Sequence, residues 1–229
     1  MAVDRFAIGE SSCSCTCGGT FVVTCNGCGG IALAGESIQV WDHSGGTLLA
    51  TLTADGSGNI SLAAGTYWLI TADARFVGQN KTVSGATSVT FSAASGYNCL
   101  SCCAIPLSNT LHYTDNIGTA ITLTYSATQW VGTGSVAIPG SCCASQRAGS
   151  TTLVFQVNVT TAGHFTPSFY PNSAPAYSAT AIGTTNMCPN TTCPPSFSYS
   201  QTFSGWAANC SIPNYVCLCA TTYTSTLTE

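Results

Sequence analysis

Leu48-Leu49-Ala50-Thr51-Leu52-Thr53-Ala54-Asp55-Gly56-Ser57-Gly58-Asn59-Ile60-Ser61-Leu62-Ala63-Ala64-Gly65-Thr66-Tyr67-Trp68-Leu69 is the stretch that decides the fold class. Apolar side chains recur at every second position: Leu48, Ala50 and Leu52, then Ile60 and Leu62, then Tyr67 and Leu69. A period of two sends alternate side chains to opposite faces, so each run reads as a half-buried strand. Asp55-Gly56-Ser57-Gly58 and Ala64-Gly65 separate the runs. These residue types close turns, glycine by reaching positive φ and aspartate by bonding its own backbone. Short strands punctuated in this way predict a β-sandwich.

The same pattern extends in both directions. Val22 with Thr24 and Ile38 with Val40 precede the stretch; Asn26-Gly27, Ser44-Gly45-Gly46 and Ser84-Gly85 supply further turns. Later strands are expected at Thr110 to Tyr113, Ala120 to Ser126, Thr152 to Val159, Ser196 to Phe203 and Thr221 to Thr228. The segment from Phe165 to Pro195, rich in Pro, Asn and Ser, reads as an ordered loop stapled by cysteines. No capped stretch of helical periodicity occurs, so helix content should be close to nil. Composition changes near residue 96: nine of the twelve charges lie before it, and ten of the fifteen cysteines lie after it. The expectation is an all-β chain of two β-sandwich domains, Ig-like or transthyretin-like, the second Cys-rich. Residues 1–17 form a Cys-containing arm, 18–95 the first sandwich and 96–229 the second, joined at Ala93-Ala94-Ser95-Gly96.

Charged residues make up only 5% of the 229, and the net charge is −4 with four cations. That balance offers no basic face for nucleic acid or anionic lipid. Gly, Ser, Thr and Asn interrupt every apolar run before it reaches the length of a spanning helix. A hydrophobic content of 45% is ample for a core, which argues against disorder.

Within the first half, Ala32-Leu33-Ala34-Gly35-Glu36-Ser37-Ile38-Gln39-Val40, then Thr51 to Leu62, then Ala63-Ala64-Gly65-Thr66-Tyr67, resembles the carboxypeptidase regulatory-like, transthyretin-like sandwich. Ala32 stands where that family carries proline, Glu36 where it carries a small residue and Ile60 where an aromatic is common. The resemblance places Gly35 and Gly58 in turns of positive φ and lets Tyr67 bond across a corner. It implies a non-catalytic spacer or interaction domain over about residues 18–95. The Cys-rich half has a general likeness to segments of uncharacterised bacterial and phage proteins, which transfers no residue roles.

Cys15-Thr16-Cys17-Gly18-Gly19 and Cys25-Asn26-Gly27-Cys28-Gly29-Gly30 are two short cysteine pairs ending in glycines. Cys15, Cys17, Cys25 and Cys28 could close a tetrahedral structural zinc site, since glycine frees backbone N–H groups to face thiolates. Disulfides across a hairpin are the alternative. Zinc is the one cofactor the sequence suggests, and iron–sulfur spacings are absent. The adjacent pairs Cys102-Cys103 and Cys142-Cys143 should each split between different partners. Fifteen is odd, and the leftover thiol is expected among Cys13, Cys15 and Cys17.

Catalytic groups are sparse. His43, His112 and His164 have no G-x-S-x-G elbow or H-E-x-x-H context. Asp42-His43 and Asp115 read as turn residues. Asp42, Asp55 and Asp73 would have to gather at one end of the first sandwich to hold calcium. A carbohydrate-active role would need a cleft lined by Trp41, Trp68, Trp130 or Trp206 beside paired acids. The N-x-S/T triplets at Asn59, Asn80, Asn158, Asn190 and Asn209 exceed chance by too little to carry a reading in a chain this rich in Ser and Thr.

Sheets protect their edges with lysine, proline or a cover, and this chain has one lysine. Association is therefore expected to be the purpose of its surface. The sequence points to a non-enzymatic structural subunit, a virion accessory protein of tail, baseplate or capsid surface, partnered by itself and other structural proteins. A secreted or cell-surface adhesion module is the alternative. Met1 to Glu10 lacks the apolar core of a secretory signal. Synthesis in a host cytoplasm and release in a virion would reconcile that with so many cysteines.

Overall fold

Each alternating run named above is a strand wherever it falls within the residues the structure describes. The structure is a computed structural model that describes residues 19–116, 118–138, 151–171, 180–181, 183–188, 196–202 and 222–229. The first half contains β1 (Thr20–Asn26), β2 (Ser37–Trp41), β3 (Leu48–Thr53), β4 (Asn59–Ala63), β5 (Gly65–Thr71), β6 (Phe76–Val77), β7 (Gln79–Val83), β8 (Thr87–Thr90) and β9 (Ser92–Ala93). The second contains β10 (Tyr97–Asn98), β11 (Leu107–Ser108), β12 (Thr110–Asp115), β13 (Ala120–Ser126), β14 (Gln129–Ile138), β15 (Thr151–Thr160), β16 (His164–Pro171), β17 (Thr180–Ala181), β18 (Thr185–Asn186), β19 (Ser196–Thr202) and β20 (Thr222–Thr228). The protein is all-β: among the described residues the one helical element is a single 3-10 turn at Cys28–Gly30.

Two main sheets build the first half, ordered β4-β1-β8 and β3-β2-β5-β7, with β6 and β9 as a separate two-stranded pair. β1 runs antiparallel to β4 and parallel to β8. Val23, Ile38, Val40, Ile60, Leu62, Leu69, Val83 and Phe91 share one core. Burying each such side chain contributes about 1.5–3 kcal/mol. Gly35 and Gly58 both sit at φ +77°, in the turns expected of them. At Gly58 a Cβ would also lie 2.7 Å from the Cys25 carbonyl oxygen, so the turn is closed to other residues on two counts. Tyr67 Oη donates to the Ala63 carbonyl at 3.2 Å, tying a strand to the corner that precedes it.

In the second half β10 and β11 pair with each other, and the other nine described strands join one sheet, β17-β16-β15-β14-β13-β12-β20-β19 with β18 beside β16. Where sequence predicts two facing sheets, this part of the described chain is a single sheet curled around its own core. Leu111, Tyr113, Leu123, Trp130, Phe155, Val157, Phe165 and Leu227 fill that core. Tyr113 stacks on Phe155 with ring centroids 5.6 Å apart, and Trp130 meets Tyr125 edge-on at 4.8 Å. The indole N–H of Trp130 donates to the Ser108 carbonyl at 2.7 Å, which allows a fully buried tryptophan without an orphaned donor.

Two expectations for this half change. His164–Pro171, expected as the start of a long loop, is strand β16, paired with β15 from Leu153↔Pro171 to Val159↔Phe165. Its prolines are tolerated because its other side carries only two-residue partners, β17 and β18. Gln129–Ile138, which gave no strand signal, is strand β14.

The halves meet through residues 97–106. Leu100, Cys103 and Leu107 belong to the second core, while Ala104 and Ile105 pack against the first. The Cys28 N–H donates to the Ala104 carbonyl at 2.8 Å, and a Cys28–Cys99 disulfide crosses the junction.

Candidate binding surface

Of the four cysteines that sequence groups around zinc, the described residues include Cys25 and Cys28. Cys28 is bonded to Cys99, 71 residues away, so its sulfur is not available there as a thiolate ligand. Cys25 is a free thiol with no exposed surface in the first core, three residues from Cys28 in a strand that turns it inward. Burial pushes its pKa up to about 11, which holds it as a neutral thiol at pH 7. Cys15 and Cys17 lie outside the described residues, as does Cys13. The unpaired thiol that the structure does place is thus Cys25, a position sequence assigned to metal. Cys102 bonds Cys188 while Cys103 is disulfide-bonded separately, so the adjacent pair splits as expected, though from a turn and not a strand.

The carboxylates are consumed locally. Asp42 accepts N–H groups from His43 and Thr47, both at 2.7 Å, and its pKa is lowered chiefly by the Thr47 bond. Asp55 accepts from Ser57 and Asn59, each at 2.8 Å, with the Asn59 bond the main cause of its lowered pKa. Asp73 takes the Arg75 guanidinium, Nη2 to Oδ2 at 2.7 Å, which lowers the carboxyl and raises the guanidinium. Among the described residues no three His, Cys, Asp or Glu side chains gather around a common point, so the three aspartates form no calcium cluster. Asp115 accepts the Thr119 N–H at 2.8 Å, the turn role expected of it.

Arg75 also reaches across the molecule. Its Nη1 lies 3.3 Å from Glu229 Oε2, and Glu229 Oε1 accepts the Ser108 N–H at 2.6 Å. Asp73, Arg75, Glu229 and Ser108 form a polar clasp between the first sheets and the strands of the second half.

The outer face of sheet β3-β2-β5-β7 is the most distinctive surface. Ile38, Val40 and Leu69 face the core, so the residues between them face out. Directly paired residues of an antiparallel sheet share a face. The pairings Trp41↔Trp68 and Trp68↔Asn80 therefore draw one row across three strands, and Trp41 meets Leu48 of the fourth just past a register shift that leaves Leu49 out of the pairing. Beside it runs Thr51, Gln39, Ile70, and on its far side Thr66 bonds Thr82 through their hydroxyls at 3.1 Å. Trp41 Nε1 donates to Gln39 Oε1 at 3.3 Å. Trp68 rests against Gly78, where a Cβ would lie 2.6 Å from Nε1 and Cε2 of the indole, so only glycine lets the ring lie down there. Both tryptophans are half-buried, and at the sheet edge Leu48 and Leu49 are 43% and 54% exposed.

Trp130, by contrast, is core, and Trp206 lies outside the described residues. Sequence named Trp41 and Trp68 as candidates without pairing them, because strands β3 and β4 intervene in the chain between partners that touch in the sheet. Among the described residues no acid pair accompanies them: the adjoining Asp42 contacts His43 Nδ1 at 2.9 Å.

Comparison with known proteins gives no match to a family model, to a curated protein or to a solved structure.

Proposed function

We propose that this protein is a non-enzymatic structural subunit that works by docking through uncharged surface, as an accessory component of a virion. The observation that carries the proposal is the bare edge of β3. Its sequence, LLATLT, has no lysine, proline or charge, Leu48 and Leu49 are exposed, and among the described residues β2 is the one strand that pairs with it. The opposite edge, β7, carries the chain's single lysine, Lys81. One edge is guarded and the other is open to a further strand, the arrangement that directional association through backbone pairing requires.

The disulfides support a working place outside reducing cytosol. The positive φ at Gly35 and Gly58 and the Tyr67 corner bond support the transthyretin-like assignment of the first half, and with it an interaction role. The partners proposed are further copies of this chain and neighbouring structural proteins.

Leu49→Lys tests the docking edge. A charge there costs little in a monomer, because Leu49 is exposed, but it opposes strand addition. The wild type is expected to sediment as an oligomer and the variant as a monomer of unchanged circular dichroism. A wild type that is monomeric at every concentration, or a variant that assembles as the wild type does, contradicts the proposal.

A further inference from the structure

The tryptophan row carries an inference that does not rest on the β3 edge. A surface subunit needs no aromatic pair on a sheet face, and even half-buried indoles on an outer face are a solubility liability where nothing uses them. Here the two rings are held, not left loose. Trp41 is fixed by its bond to Gln39, and Trp68 lies on the backbone at Gly78, the one residue type that makes room for it. Trp68 therefore reaches across toward the chain entering β7, and Trp41 is tied along its own strand to Gln39.

The chemistry around the rings is uncharged and polar. The row Trp41-Trp68-Asn80 with Leu48 beside it, the row Thr51-Gln39-Ile70 and the Thr66–Thr82 pair contain no Lys, Arg, Asp or Glu. Gln39 Oε1 is occupied by Trp41, which leaves the amide NH2 to donate, and Asn80 is exposed with both halves of its amide available at the other end of the row. A surface without charge complements a ligand without charge. Within these rows a cationic ligand would find no carboxylate and an anionic one no cation; Asp42, which follows Trp41, is held by the His43 and Thr47 N–H groups.

A pyranose fits this description. Its axial C–H groups form an apolar face of slight positive charge that seats on the negative face of an aromatic ring, and its equatorial hydroxyls point outward to amides and hydroxyls at the rim. Adjacent strands lie about 4.8 Å apart, so rings rooted on neighbouring strands engage consecutive parts of one extended chain and not a single compact molecule. We propose that the outer face of β3-β2-β5-β7 binds a neutral oligosaccharide chain, Trp41 and Trp68 stacking on sugar rings while Gln39 and Asn80 bond their hydroxyls. The site is one of recognition only, with no acid pair to cleave the chain.

The test uses the full chain with cellohexaose, chitohexaose and maltohexaose as neutral probes and a galacturonic acid hexamer as an acidic one, read by calorimetry and by tryptophan fluorescence. At least one neutral probe is expected to bind with a dissociation constant of about 1 mM or tighter, more tightly than the acidic probe. Trp41→Ala and Trp68→Ala should each weaken it by roughly tenfold or more. Asn80→Ala should weaken it less and Leu49→Lys not at all. Circular dichroism and thermal melting confirm that each variant is folded; should an alanine variant fail to fold, Trp→Phe replaces it, with a smaller loss expected. Absence of binding to every neutral probe, preference for the acidic one, or unchanged affinity in both tryptophan variants overturns the proposal. So does loss of self-association in the Trp68 variant without glycan binding, which would give the face to a second copy of the chain. Failure of the docking edge appears in the Leu49 variant and leaves these outcomes untouched.

Discussion

Between residues 19 and 95 the groups that close each strand lie close in sequence. Asp42 holds the N–H groups of His43 and Thr47, Asp55 those of Ser57 and Asn59, and Asp73 that of Arg75. Beyond residue 97 the Asp115–Thr119 turn is also local, but the ties that hold the core are long. Cys102 meets Cys188 86 residues away, Tyr113 stacks on Phe155, and Trp130 is bonded to Ser108. Local closure leaves a sheet free to keep one face outside, where β2 and β5 present their tryptophans. Distant closure spends the aromatic side chains on a core and uses cysteines to hold the curl. One strand pattern on two compositions thus yields an open sheet face in one half and a stapled scaffold in the other.

The largest expected effect breaks that contrast at its staples. Cys102→Ser opens a loop of 86 residues and should cost about 4 kcal/mol of stability, with loss falling on the second half. Denaturant unfolding monitored with hydrogen exchange would register it, and protection in β2 and β5 should persist while that in β12 to β16 falls.

Tryptophans sharpen the same contrast. Trp130→Ala removes a fully buried indole and strands the Ser108 carbonyl, for an expected loss of about 3–5 kcal/mol. Trp68→Ala, on the open face, should cost well under half of that. Equal losses in thermal melting would mean that Trp68 is structural and not a surface group.

Such differences are only partly legible in sequence. The alternation of Leu52, Ile60, Leu62 and Leu69 reports burial through local geometry, and the strands follow. The positive φ of Gly35 and Gly58 is likewise a local demand. Strand β14 is hidden because Gly132 and Gly134 look like turn residues; in the sheet they admit the side chains of Ile121 and Leu123, which a Cβ would strike. Strand β16 is hidden by Pro167 and Pro171. The Trp41–Trp68 pair and the Cys28–Cys99 bond were beyond reach for a different reason. Which strands become neighbours, and which thiols meet, is fixed by topology and not by any local pattern.

A smaller effect concerns the clasp that joins the halves. Arg75→Ala should lower stability at pH 7 by about 1 kcal/mol or less, the range of a partly exposed ion pair. Arg75 depresses the Asp73 pKa, so this contribution is present above the ordinary carboxylate range and is lost as pH falls through the folded value. Wild type and variant should therefore converge in melting temperature below about pH 4. A gap that widens in acid would show that the clasp works through something other than that carboxylate.

The central claim is that this chain associates through surface that carries almost no charge, and a salt series tests it most directly. Raising sodium chloride from about 0.05 to 0.5 M shortens the Debye length from about 14 to 4 Å. With charged residues at 5% of the chain, sedimentation velocity should give the same oligomer distribution across the whole series. Dissociation as salt rises, or a monomer at every salt and protein concentration, would contradict the account.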